Sequence, residues 1–108
     1  MSEQFEKEQV EQETQNTKSV NEKAVLRVKS STSPKALAGS ITTTMKEYGH
    51  VSLRCIGDGA IGRGAKAAAI ASGYLKPIGV DIKLKPYFFE TEIDGEPRTG
   101  LSIDIEPE

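Results

Sequence analysis

Three local patterns carry residue types suited to holding an anion. Lys29 and Lys35 flank the hydroxyl run Ser30-Ser31-Thr32-Ser33, just ahead of Pro34. Gly57-Asp58-Gly59-Ala60-Ile61-Gly62 follows an apolar segment and opens an alanine-rich one. Arg63 and Lys66 lie three residues apart, hence on one side of a helix. Cationic side chains, hydroxyls and free backbone N–H groups at a helix start are the groups that contact phosphate. Ordinary capping and a polar loop account for the serines equally well. A solvated helix face accounts equally well for Arg63 and Lys66.

The glycine run is open to several readings. As a literal G-x-G-x-x-G with Asp81 nineteen residues after Gly62, it has the spacing of a dinucleotide-binding fingerprint. That chemistry needs the acid at the carboxyl end of the next parallel strand. Asp81 instead opens the next strand, whose continuation carries Lys83 and Lys85. In the plainer reading the glycines permit a tight turn and close helix–sheet packing. In a third, Gly57 and Gly59 present backbone N–H groups to a phosphate, against the opposing charge of Asp58. Gly59-x-x-Gly62 also has the spacing of the KH clamp on a nucleic-acid backbone.

Catalysis finds little support. His50 is the only histidine and has no partner for a metal site or a triad. Cys55 falls on the apolar side of its strand, where a thiol is buried and inert. Glu90, Glu92, Asp94 and Glu96 alternate around a turn, the pattern of a solvated edge. The expectation is a protein that is not an enzyme, with no cofactor and no metal.

The elements that must position these residues follow from periodicity. Ala24 to Lys29 alternates as a half-buried strand. Ser33 then caps a helix with Pro34 at its first position and Leu37, Ile41, Met45 and Tyr48 on one face, ended by Gly49. Val51, Leu53 and Cys55 alternate with Ser52 and Arg54 in a second strand. A helix is expected over about residues 60–72, stopped by Gly73, with Ala67, Ala68 and Ala71 allowing close approach to a sheet. Val80, Ile82 and Leu84 begin a third strand, in which Pro86 implies a bulge, a bend or an edge position. Phe88 to Ile93 continues it, with one of Phe88 and Phe89 expected in the core and the other on the opposite face. A loop over Asp94 to Pro97 leads to a last strand through Leu101, Ile103 and Ile105. The expected class is α+β, in the order β-α-β-α-β-β, with two helices on one face of a small mixed four-stranded sheet.

Composition bounds the partners. The 108 residues carry a net charge of −2, which at first weighs against a nucleic-acid partner. The charge is unevenly spread, at −3 over residues 1–23, +7 over 24–86 and −6 over 87–108. The positive part coincides with both expected helix N-termini. Residues 1–23 hold too few apolar side chains to offset chain ordering and are expected to form a disordered acidic tail. A folded domain is expected over residues 24–108. Its core is thin for its length, so pairing with a second copy would help stabilise it. The longest apolar run, Ala67 to Ala71, excludes a spanning helix, and the start Met-Ser-Glu-Gln-Phe-Glu is not that of a secretory signal. The lone cysteine suits a cytoplasmic protein.

The chain from Val28 to Pro107 resembles the stage V sporulation protein S family. The resemblance rests on Lys29-Ser-Ser with Pro34 shortly after, Ala38-Gly39, Ile56-Gly57-x-Gly59-Ala60 and Ala65-Lys66-Ala67-x-Ala69-Ile70-Ala71. It continues through Pro77-x-Gly79-Val80-Asp81, Ile93-Asp94-Gly95-Glu96, Arg98-Thr99 and Glu106-Pro107. It implies an Alba-like fold, a homodimer and a small regulatory role in sporulation or related development. By likeness to Alba-type chromatin proteins, nucleic acid is expected at the first β–α loop, the second β–α loop and a protruding hairpin. Those are Lys29 to Lys35, Gly57 to Arg63, and Glu90 to Arg98. The interface residues expected to contact phosphate, DNA or RNA, are Lys29, Ser31, Ser33, Lys35, Gly57, Gly59, Arg63 and Lys66. The hairpin carries four acids and one arginine, whereas a minor-groove arm should be basic. The alternative is therefore a protein-interaction module that offers its acidic hairpin and tail to a basic protein partner and binds no nucleic acid.

Overall fold

The computed structural model describes residues 24–108; the tail expected over residues 1–23 lies outside them. The elements are β1 (Val25–Val28), α1 (Pro34–Tyr48), β2 (Val51–Cys55), α2 (Asp58–Leu75), a 3-10 turn (Lys76–Ile78), β3 (Ile82–Ile93) and β4 (Glu96–Pro107). The four strands form one mixed sheet in the order β1-β2-β4-β3. β1 and β2 are parallel, and β4 is antiparallel to both β2 and β3. The α+β class, element order and layering expected of an Alba-like fold are borne out.

Register sorts the strand residues into two faces. Leu26 pairs with Leu53 and Val28 with Cys55, while Val51, Leu53 and Cys55 pair with Ile105, Ile103 and Leu101. These side chains form the front face and pack with Leu37, Ala38, Ile41 and Met45 of α1 and Ala60, Ala67, Ala68, Ala71 and Leu75 of α2. The alanines let α2 sit low on the sheet. A Cβ on Gly64 would stand 3.1 Å from Cys55 Sγ.

Several boundaries depart from the sequence expectation. α2 runs through Gly73 to Leu75, and the left-handed glycine comes only after the 3-10 turn, at Gly79 with φ 81°. Leu75, fully buried, anchors that last turn, so packing overrides the weak helix propensity of Gly73. Asp94 and Gly95, at φ 53° and 77°, make a two-residue turn that matches the strand twist. Pairing therefore continues to Ile93 and Glu96 instead of opening into a longer loop. Pro86 stays in register with Ile103, and β3 realises the edge position among the three options.

The rear face is less polar in its surroundings than alternation suggested. Val25, Ser52, Arg54 and Ser102 are all buried. Ser52 Oγ donates to Asp104 Oδ1 at 2.7 Å, and the Tyr87 hydroxyl donates to the same oxygen at 3.2 Å. Phe89 is buried on this rear face, whereas Phe88, on the front, is 76% exposed. Neither phenylalanine belongs to the main core, because the helices do not reach the edge strand at Phe88.

Candidate nucleic-acid interface

β1, β2 and β3 all point the same way, since β4 runs opposite to β2 and β3. The β1–α1 turn, the β2–α2 turn and the β3–β4 hairpin tip therefore share one end of the sheet. Asp81, just before β3, lies at the other end. This separates it from Gly57 by the length of the sheet and removes the dinucleotide-binding reading, whose acid must sit at the carboxyl end.

The first turn is closed on itself. Thr32 N donates to Lys29 O at 3.0 Å, and Lys29 N donates to Thr32 Oγ1 at 2.8 Å. Ser33 is the N-cap of α1, its Oγ accepting from Ala36 N at 3.3 Å, with Pro34 following as expected. Ser33 is thus engaged in capping. Ser31 and Lys35 are exposed, and Lys29 is half-buried.

The second turn opens α2 without a side-chain cap. Gly57 is the N-cap at φ 94° and ψ 154°, a backbone shape that glycine adopts readily. Its carbonyl accepts from Ile61 N at 3.0 Å. Asp58 begins the helix, where its charge suits the dipole but opposes an anion. Gly57, Gly59, Arg63 and Lys66 are exposed.

The two turns touch. Arg63 Nη1 donates to Thr32 O at 3.3 Å, and a Cβ on Gly59 would lie 3.1 Å from Ser30 Cβ. Ser31, Ser33, Lys35, Gly57, Gly59 and Arg63 are thereby gathered around two adjoining helix N-termini, while Lys29 directly follows β1 and Lys66 lies more than two turns into α2. Thr32, which ties the first turn and receives Arg63, and Ser30, which packs on Gly59, were absent from the expected set. Their signal was the parallel β1–β2 pairing, which forces neighbouring turns together.

The hairpin extends past the body of the sheet. β2 ends at the Cys55–Leu101 pair, and the β3–β4 ladder goes on for five pairs, from Phe89–Gly100 to Ile93–Glu96, or about 17 Å. Glu90, Glu92, Asp94, Glu96 and Arg98 on this arm are all exposed. At its root a Cβ on Gly100 would stand 2.5 Å from the Phe89 ring and 2.9 Å from Cys55 O. Glycine at position 100 therefore lets Phe89 lie flat on the rear face, 4.4 Å from the Arg54 guanidinium carbon.

Neither catalytic candidate gains a role from the geometry. His50, half-buried, lines a shallow cleft with Ser52, Tyr87 and Asp104, but Ser52 donates to Asp104, which is not a triad arrangement. Cys55 is fully buried, and burial pushes its thiol up to about 11. Among the described residues no helix is long and apolar enough to cross a membrane.

One family profile, described as Stage V sporulation protein S, matches residues 24–108, all of the described region.

Proposed function

The chain belongs to the Stage V sporulation protein S family, and we propose that in this sporulation setting it is a small, non-catalytic, cytoplasmic regulator that binds nucleic acid as a homodimer. The observation that carries this reading is the contact between the two β–α turns. It joins two helix N-termini, each of which attracts phosphate through free N–H groups and its dipole. Lys35 and Arg63 are exposed around them, Lys66 is exposed further along α2, and Lys29 is half-buried ahead of the first turn. These contacts engage the backbone and carry no base readout, so the binding is insensitive to sequence. The acidic arm stays out of the groove and flanks the bound strand.

The dimer draws support from β3. This edge strand has twelve residues and is paired on one side only. Leu84 and Phe88 project from its front face at 44% and 76% exposure, and Tyr74 and Ile78 are exposed near the end of α2. Exposed apolar side chains along an open strand edge are features that a second copy covers.

A second reading has its own observation. The arm places four exposed acids beyond the sheet, which suits a basic protein partner. Fluorescence anisotropy with DNA and RNA oligonucleotides at two salt concentrations separates the two, since only the first requires saturable, salt-sensitive binding.

A further inference from the structure

β3 is an edge strand, and its register with β4 decides which of its backbone groups are already bonded. The two-residue turn at Asp94 and Gly95 makes Ile93–Glu96 a hydrogen-bonded pair. Such pairs alternate along an antiparallel ladder. Thr91, Phe89, Tyr87, Lys85 and Lys83 therefore turn their N–H and C=O groups to β4. Ile82, Leu84, Pro86, Phe88, Glu90 and Glu92 turn theirs to the open side. The prolines agree with this phase. Pro86–Ile103, Glu92–Pro97 and Ile82–Pro107 all fall in pairs without hydrogen bonds, where a missing N–H costs the β3–β4 ladder nothing.

Two of those prolines also guard open edges. Pro86 removes a donor from the middle of β3, and Pro97 does so where β4 runs on past the end of β2. The longest stretch of β3 without such a guard runs from Tyr87 to Ile93. It offers the outward N–H and C=O groups of Phe88, Glu90 and Glu92. These three side chains share the front face and are exposed, Phe88 to 76%. Thr99, opposite Glu90, donates its hydroxyl to the carboxylate at 3.3 Å and holds it across the ladder. Arg98, the cation of the arm, is paired with Thr91 and so lies on the rear face. The front of this track is an aromatic ring followed by two carboxylates.

We propose that this edge takes up a β-strand from a partner protein, an extended basic segment paired antiparallel with Phe88, Glu90 and Glu92. Two Lys or Arg side chains of the segment meet the glutamates and an apolar one meets Phe88. Backbone hydrogen bonds to the outward groups hold the segment, and its alternate side chains select it. Charge decides the occupant. Paired with itself over this stretch, the edge either sets acid against acid or brings Pro86 into the ladder. The same carboxylates repel a phosphate backbone. A basic strand alone gains from both the backbone and the charge. Strand addition rests on the basic-partner reading of the arm and is independent of nucleic-acid binding at the turns.

The probe is the end-blocked pentapeptide Lys-Thr-Lys-Thr-Val, titrated at low salt into the nitrogen-15-labelled full chain. The same peptide N-methylated at both lysines runs beside it, with equal charge but without those two donors. Amide shifts give the affinity, and hydrogen exchange reads the edge. At about ten times its dissociation constant the first peptide should slow exchange of the Phe88, Glu90 and Glu92 amides about tenfold. The N-methylated peptide should bind more weakly and slow none of them. Glu92→Pro should bind the first peptide about two- to tenfold more weakly than Glu92→Gln, because only the proline also removes an outward N–H. Unchanged exchange at Thr91 and Ile93, whose amides bond β4, shows that the arm is intact in both variants. Equal binding of the two peptides without slowed exchange overturns strand addition and leaves the basic-partner reading standing. Absence of binding to either peptide overturns both. Glu90 and Glu92 amides that are already slow in the protein alone assign the edge to a second copy and overturn the proposal.

Discussion

Ser30 and Gly59 face each other across the two β–α turns so closely that a Cβ on Gly59 would stand 3.1 Å from Ser30 Cβ, tighter than ordinary van der Waals contact. The glycine therefore sets how close the two helix N-termini stand. Gly59→Val should push them apart and weaken oligonucleotide binding by about three- to tenfold, roughly the net worth of one ordinary hydrogen bond. An unchanged far-UV circular dichroism spectrum should accompany the loss. Unaltered affinity would show that the spacing of the turns is irrelevant to binding.

Lys35 and Arg63 near that approach and Lys66 further along α2 are exposed and are assigned to phosphate. Each change to Gln should weaken binding about equally for all sequences. Each should also lower the slope of log affinity against log salt by about 0.7–0.9. The measurement is a salt titration for each variant. Loss confined to one base sequence would contradict a backbone-only interface.

Leu84 and Phe88 stand exposed on the front of the open edge strand. Phe88→Glu places a charge in the proposed dimer contact and should convert the protein to a monomer in sedimentation equilibrium, with a lower thermal midpoint because the stabilisation linked to pairing is lost. A wild-type chain that remains monomeric at its highest soluble concentration removes the homodimer from the account.

The Cys55 thiol is pushed by burial from 9.0 up to about 11. Folding favours the neutral thiol, so its contribution to stability is complete below pH 9 and is lost as pH rises through about 11. At pH 8 a thiol reagent should label the native protein about 100-fold more slowly than the denatured chain. Between pH 9 and 11 the wild type should lose more stability than Cys55→Ala does. Fast native labelling would contradict a buried, inert thiol.

Much of this architecture was legible in the residues. Ser33-Pro34 marks a helix start because proline's missing N–H costs nothing there, and that start is found where expected. The alternation of Val51, Leu53 and Cys55 gave the core side of β2. Arg54 and Phe88 show what periodicity does not carry. Alternation puts Arg54 on the polar side, yet it is buried beneath Phe89 because Gly100 opposite leaves room for the ring. Phe88 faces the helices in register but lies beyond their reach on the edge strand. Strand order decides both, and no local pattern encodes strand order. The candidate site was readable as two separate loops. Their contact required knowing that β1 and β2 are neighbours.

The central claim is that the joined turns bind a phosphate backbone. Anisotropy of labelled single- and double-stranded DNA and RNA against the full chain, at 50 and 200 mM salt, tests it most directly. With four phosphate contacts, saturable binding at the lower salt should weaken by roughly 50- to 150-fold at the higher. Absence of saturable binding to every oligonucleotide at 50 mM salt would contradict the account.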